Sequence, residues 1–168
     1  MKNTIIIALV ALFSVSTSFA ADYKFGHVNT AEVMKNLPDV TQAEQKLADF
    51  NTQLEQQLQT MYQEYQGKLT EFQSQEAMMA DIIKQDKINE IQNIEQRIQQ
   101  FQGTAQQQIL AEKEKLYAPI IKKVEDVIKA IADEKKYSYI FDMSTGVVLF
   151  AQDSDDITTL VKERLSIQ

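Results

Sequence analysis

Few residues in this chain have side chains suited to catalysis, and they are not grouped. His27 is the only histidine, and the chain has no cysteine. The acidic pairs Asp133–Glu134 and Asp155–Asp156 lie where helices are expected to end or begin, so solvated charge is their simplest role. The sequence has neither the spacing of a zinc site nor a GxxxxGK[ST] segment for nucleotide phosphates. It therefore predicts a protein that is not an enzyme and uses no metal, nucleotide or cofactor.

The N-terminus has the organisation of a secretory signal peptide. Lys2 gives a positive start, the run from Ile5 to Phe13 is apolar, and Ser18-Phe19-Ala20 supplies small residues for cleavage. The apolar run is about half of the roughly 20 residues that cross a bilayer. The sequence therefore predicts cleavage after residue 20 and an exported, soluble mature protein. A lipoprotein anchor is excluded because it needs a cysteine at the cleavage site.

Two long segments carry apolar residues at helical spacing. The period lies between about 3.5 and 3.6 residues per turn, which is typical of a narrow two-helix seam. Helices are therefore expected at roughly 40–79 and 82–136, with Asp81 as a cap for the second. The simplest arrangement is an antiparallel hairpin over residues 38–136 with its tip near 79–83. The two stripes are Val40, Ala43, Leu47, Phe50, Leu54, Leu58, Met61, Tyr65, Leu69 and Phe72, and then Ile88, Ile91, Ile94, Ile98, Phe101, Ala105, Ile109, Leu116, Ile120, Val124, Val127 and Ile131.

Three residues inside these helices are candidate hinges. Gly67 and Gly103 each cost about 1 kcal/mol relative to alanine in a helix interior. Pro119 removes one helical hydrogen bond and is expected to bend the helix at the foot of the arm. Close packing or tolerated drift is the alternative explanation for the glycines.

The remaining residues, 21–37 and 137–168, are expected to form a small β-rich body. β-type runs at Tyr23–Val28, Tyr137–Phe141 and Val147–Ala151 predict strands, with a turn at Ser144-Thr145-Gly146 between the last two. A body of this size is marginal as an independent core, so self-assembly is the expected remedy. The residues expected to form this oligomerisation body are Phe25, Val28, Ile140, Phe141, Val147, Val148 and Leu149.

Charge is distributed unevenly along the chain. The formal net charge is −7, which argues against nucleic acid as a partner and leaves at most transient contact with membranes. Residues 40–80 carry Lys46 and Lys68 against six acidic residues, whereas residues 113–136 carry seven lysines against five. The outer part of the hairpin is therefore acidic and its root mildly basic.

Apolar residues beyond the seam are the best candidates for binding other polypeptides. They are Tyr62, Met78, Met79, Ile82 and Ile83. Methionine is flexible and polarisable, so it suits contact with varied partners. The alternative is that these residues only pack between the two helices at the tip. The outer faces of the hairpin are rich in glutamine, which is typical either of a solvated helix or of a surface that contacts varied chains.

The order of these elements resembles that of the Skp/OmpH family of periplasmic chaperones. The matching segments are Lys24–Asn29, Leu37-Pro38, Pro119–Val124, Val127–Asp142 and Asp156–Thr158, so the resemblance covers essentially the whole mature chain. It implies an α+β, mainly α fold: a jellyfish-like homotrimer with helical tentacles projecting from a β-rich body. The well-known family members are strongly basic, and this chain is acidic.

The resemblance also implies the function. The implied protein is an ATP-independent holdase that would bind unfolded outer-membrane or other envelope proteins in a cavity between the tentacles and prevent their aggregation. The alternative is an exported coiled-coil scaffold of the cell envelope, which would have rigid arms and one fixed partner. Protection of unfolded chains from aggregation separates the two hypotheses.

Overall fold

The computed structural model describes residues 23–167, so the predicted signal peptide at residues 1–20 lies outside the described residues. The chain is mainly helical with a small sheet, and the predicted α+β class with a long helical hairpin is confirmed. The elements in chain order are β1 (Phe25–Val28), α1 (Thr30–Lys35), α2 (Pro38–Gln75), α3 (Asp81–Lys135), β2 (Tyr139–Asp142) and α4 (Thr158–Arg164).

Helices α2 and α3 form an antiparallel hairpin. Ion pairs cross between them from Lys68 to Glu90 at 2.6 Å and from Arg97 to Glu64 at 3.2 Å. Every residue of the two predicted apolar stripes is buried or half-buried, which confirms the periodicity argument. At about 1.5 Å per residue, the 38 residues of α2 span about 55 Å, so the hairpin projects far beyond the body.

The chain reverses direction between Gln75 and Asp81. A short 3₁₀ turn covers Glu76–Met78, and α3 begins at Asp81 after Ala80 in extended conformation. The predicted side-chain cap from Asp81 is absent, because this residue lies inside the first turn of α3. There its negative charge is stabilised by the helix dipole. Helix α3 then continues through Pro119 to Lys135.

The body is built around a two-stranded parallel sheet. Phe25 pairs with Tyr139 and Val28 with Asp142, and the hairpin forms the long connection between the strands. Gly26 is needed here, because a Cβ atom at this position would lie 2.8 Å from the ring of Tyr137. The core joins β1, α1, the root of the hairpin and α4, and its fully buried side chains are Val28, Val33, Leu37, Ile131 and Val161.

The predicted strand at Val147–Ala151 is wrong. Met143–Thr145 forms a 3₁₀ turn, Gly146 adopts a left-handed conformation with φ of 69°, and the chain then runs without regular structure to a second 3₁₀ turn at Asp153–Asp155. The physical reason is that β2 is paired with β1 instead. Within the described residues the second edge of β2 is not paired with the 147–151 segment, which leaves the sheet after Gly146 instead of folding back on it.

Candidate interaction surfaces

The tip of the hairpin exposes apolar side chains to solvent. Met78 is 84% exposed, Ile82 69% and Ile83 46%, while Met79 is half-buried. The chain reversal causes this exposure, because the last residues of α2 and the first of α3 have no further turn to pack against. Tip packing therefore uses only part of the available apolar surface.

Tyr62 lies further back along the hairpin on an outer face. Its side chain is 43% exposed, and its hydroxyl accepts a hydrogen bond from Gln102 at 3.1 Å. Tyr62 therefore presents part of its ring to solvent while its hydroxyl links the two helices. It does not join Met78, Ile82 and Ile83 in one patch, because about four helical turns separate it from the tip along α2.

Most cations of the outer hairpin are paired with carboxylates. Lys87 lies 3.1 Å from Glu71, and Lys68 lies 2.6 Å from Glu90. A hydrogen bond and the nearby negative charge of Glu90 raise the pKa of Lys68. The same hydrogen bond lowers the pKa of Glu90, more strongly than desolvation raises it. These pairs are half-buried and remain in contact with solvent, so they fix the register of the two helices more than they add to stability.

One face of the small sheet is covered with aromatic rings. Tyr23, Phe25, Tyr139 and Phe141 form this aromatic face, with ring centroids 5.8–6.5 Å apart. All four are exposed, and each is at least 45% accessible. Beyond it, Val147, Leu149 and Phe150 are 80%, 94% and 83% exposed. Exposed apolar surface of this extent is a candidate contact surface for another polypeptide.

His27 is buried in the body. Its Nε2 lies 3.0 Å from the carbonyl oxygen of Gln152, and its backbone carbonyl accepts from the amide of Ile157. Its Nδ1 has no partner within the described residues. His27 thus holds the 152–157 segment against β1 through its ring and its backbone carbonyl. No group of three or more metal-ligating side chains occurs within residues 23–167.

A family model for OmpH-like outer membrane proteins matches residues 24–165. The chain belongs to the OmpH-like family. The fold of this OmpH-like chain is similar to that of a protein from Caulobacter crescentus CB15 whose crystal structure is known. That protein is provisionally named an outer membrane chaperone (OmpH-like). The TM-score is 0.74 at 14% sequence identity, over 85% of this chain and 83% of that one. No curated protein matches the chain.

None of the helices within residues 23–167 of the OmpH-like chain is long and apolar enough to cross a membrane.

The glycine hinge candidates lie on open helix surfaces, because a Cβ atom at Gly67 or Gly103 would meet nothing within 4 Å. Close packing is thereby removed as their explanation. The ion pair between Lys68 and Glu90 places Gly67 opposite the region of residue 91, so the two glycines lie at different heights along the hairpin.

The body residues predicted from the sequence divide into two groups. Val28 is buried and Ile140 half-buried against the hairpin root, whereas Phe25, Phe141, Val147 and Leu149 are exposed and Val148 is half-buried. Tyr23, Tyr139 and Phe150 are exposed surface residues that were not predicted from the sequence. Alternation along each strand was the available signal, since Tyr23 and Phe25, or Tyr139 and Phe141, must share a sheet face.

Proposed function

We propose that this OmpH-like protein is an ATP-independent periplasmic holdase for unfolded outer-membrane or other envelope proteins. The observation that carries the proposal is the exposed apolar tip, with Met78, Ile82 and Ile83 at the end of a long projecting hairpin. Apolar side chains on a projecting element can contact unfolded segments of many sequences without a shaped pocket. The name of the similar protein from Caulobacter crescentus CB15 supports a chaperone role.

We further propose that three copies assemble through their bodies and that their hairpins surround one cavity. The aromatic face and the exposed 147–150 segment support self-association, because a lone two-stranded sheet is marginal in water. The number three rests on the resemblance to the family. Holding would require no catalytic group, so the protein would not be an enzyme.

The test mixes the mature protein with a urea-unfolded outer-membrane β-barrel protein and then dilutes the urea. Light scattering reports aggregation, and size-exclusion chromatography with mass determination reports the complex. The expected result is a discrete soluble complex at a fixed subunit ratio without ATP. Undiminished aggregation beside a well-folded oligomer would contradict the proposal and favour the scaffold alternative.

Two variants identify the surface that holds the client. Replacing Met78, Met79, Ile82 and Ile83 with serine should weaken protection while the assembly keeps its mass. Leu110→Ser is the control, because Leu110 is a 59% exposed apolar residue of α3 far from the tip. Equal protection by the tip variant and the control would exclude the tip as the holding surface.

A further inference from the structure

We propose that the hairpin tip selects unfolded segments in which lysine or arginine accompanies apolar residues. The inference rests on the proposed holdase function and adds the chemical class of the client segment. The tip would contact the apolar residues through Met78, Ile82 and Ile83, and exposed carboxylates beside them would attract the cationic ones. The occupant is therefore a cationic unfolded polypeptide.

The first step of the argument is that the hairpin's own cations are already neutralised. Residues 40–112 contain five lysines and arginines. Lys68, Lys84, Lys87 and Arg97 each lie within 4.0 Å of a hairpin carboxylate, whereas Lys46 lies near the root. An acidic client would therefore find few cations at the tip that are free to pair with it.

The second step is that several hairpin carboxylates are exposed and form no ion pair within residues 23–167. They lie on both helices and in the turn between them, from the lower part of α2 to about the fourth turn of α3, so the acidic character extends along the hairpin. These residues are Glu44, Asp49, Glu55, Glu76, Asp86 and Glu95.

The third step is the position of two of these carboxylates beside the apolar tip. Asp86 is four residues after Ile82 and three after Ile83, so on α3 it lies on the same face as both. Glu76 belongs to the same 3₁₀ turn as Met78. One extended segment can therefore contact apolar and acidic groups together.

Electrostatics decides between cationic and anionic segments at this surface. The Debye length is about 8 Å at physiological ionic strength, so a client charge beside the apolar contact is only partly screened. Lysine is attracted to Asp86 and Glu76, and glutamate is repelled by them. Anionic lipid headgroups would be repelled for the same reason.

The experiment compares two disordered, fluorescently labelled peptides of about 20 residues with identical apolar positions. One carries lysine and the other glutamate at every charged position. Fluorescence anisotropy with the mature protein measures both affinities. We expect the lysine peptide to bind about tenfold more tightly at low salt, as several exposed charge pairs would give. The preference should fall to about twofold at about 0.5 M salt, where the Debye length is shorter.

A matched pair of variants assigns the preference to the tip. Glu76→Gln with Asp86→Asn removes two tip charges and should lower the preference severalfold. Asp153→Asn with Glu163→Gln removes two exposed charges from the body, changes the net charge equally and should leave the preference unaltered. All four side chains are exposed, so both variants should fold, and circular dichroism checks this.

The outcomes separate this inference from the proposed function. Equal affinities, a preference for the glutamate peptide or no binding of either peptide would overturn charge selection. Aggregation protection of an unfolded β-barrel protein, measured on the same preparation, reports independently on holding. Protection without a lysine preference would keep the holdase and reject the selection, whereas loss of both would reject both.

Discussion

Asp142 is the residue on which the most polar contacts of the body converge. Its carboxylate accepts from the hydroxyl of Thr30 at 2.6 Å, and from the amide of Ser144 at 2.9 Å and its hydroxyl at 2.8 Å. It also lies 3.3 Å from the amide of Thr30. The residue therefore ties the start of α1 to the end of β2, two elements that the whole hairpin separates in the sequence.

This network makes the stability of the body depend on pH. Burial alone would raise the pKa of Asp142, but the hydrogen bonds from Thr30 and Ser144 outweigh it and the pKa is lowered. A lowered folded-state pKa gives stability that is present above the unfolded value of about 3.9 and lost as the pH falls through the folded value. We expect the melting temperature to fall below about pH 4, measured by circular dichroism.

Asp142→Asn isolates this contribution. The variant should be less stable than the parent at neutral pH, because an amide cannot accept all of these hydrogen bonds. It should also lose less stability on acidification, so the melting temperatures of the variant and the parent should converge at low pH. Burial alone would raise the pKa of Asp156, but hydrogen bonds from Thr158 together with the charge of His27 lower it, so Asp156 keeps some acid sensitivity in both proteins. If the melting temperatures of the two proteins fell in parallel with pH, Asp142 would be excluded as a source of the acid sensitivity.

At the scale of elements, the hairpin could be predicted from the sequence because its period repeats over many turns. The residues of the two apolar stripes repeat on one face of α2 and of α3. The one polar residue in the α3 row, Glu112 between Ile109 and Leu116, therefore does not alter the interpretation. The role of Gly67 and Gly103 could not be predicted. Whether a glycine allows close packing or only weakens a helix depends on what lies above it, and here that space is open.

Replacing both glycines with alanine should therefore stabilise the hairpin. Each substitution should add about 1 kcal/mol to the free energy of unfolding, because alanine restricts the unfolded chain and meets no steric barrier in these helices. Urea denaturation followed by circular dichroism measures the change. If the glycines let the arms bend around clients, the stabilised variant should also protect fewer of them.

Gly146→Ala is the control for these substitutions. Its Cβ atom would also meet nothing within 4 Å, but Gly146 has a φ of 69°, where alanine is strained. This variant should be destabilised although the added methyl group has the same free space. A loss of stability in the two helical variants would mean that Gly67 and Gly103 are required for the folded hairpin.

The body was harder to predict because its elements depend on contacts far apart in sequence. The run Val147–Ala151 consists mainly of residues with high β propensity, and the turn at Ser144-Thr145-Gly146 predicts a β-hairpin with the preceding strand. Parallel pairing of β2 with β1 requires that the long hairpin bring residues 25–28 and 139–142 together. Local sequence contains the propensity of each segment but no information on which neighbour it meets.

At the scale of the whole molecule, the exposed apolar surface is concentrated at two opposite ends. One is the hairpin tip, and the other combines the aromatic face with the 147–150 segment. The tip is small and lies on a projecting element, which suits reversible contact. The body surface is larger and adjoins a sheet with only two strands in the described chain, which suits permanent contact between copies.

Replacing residues of the body surface should therefore disrupt assembly. Leu149→Asp with Phe150→Asp places two charges where side chains are 94% and 83% exposed in one chain, so the fold of a single subunit tolerates them. In an assembled oligomer the same charges would be buried without partners, which is strongly unfavourable. We expect native mass spectrometry to show mainly subunits in place of the oligomer.

The matched variant carries the same change at the other end of the molecule. Met78→Asp with Ile82→Asp alters residues that are 84% and 69% exposed at the tip, and it should leave the mass of the oligomer unaltered. If the protein holds clients in a cavity between several hairpins, as proposed, holding should fail in both variants for different reasons. The tip variant would lack the contact with the client, and the body variant would lack the neighbouring hairpins. An unchanged mass for the body variant would exclude the 147–150 segment from the subunit contact and leave the aromatic face as the surface to test.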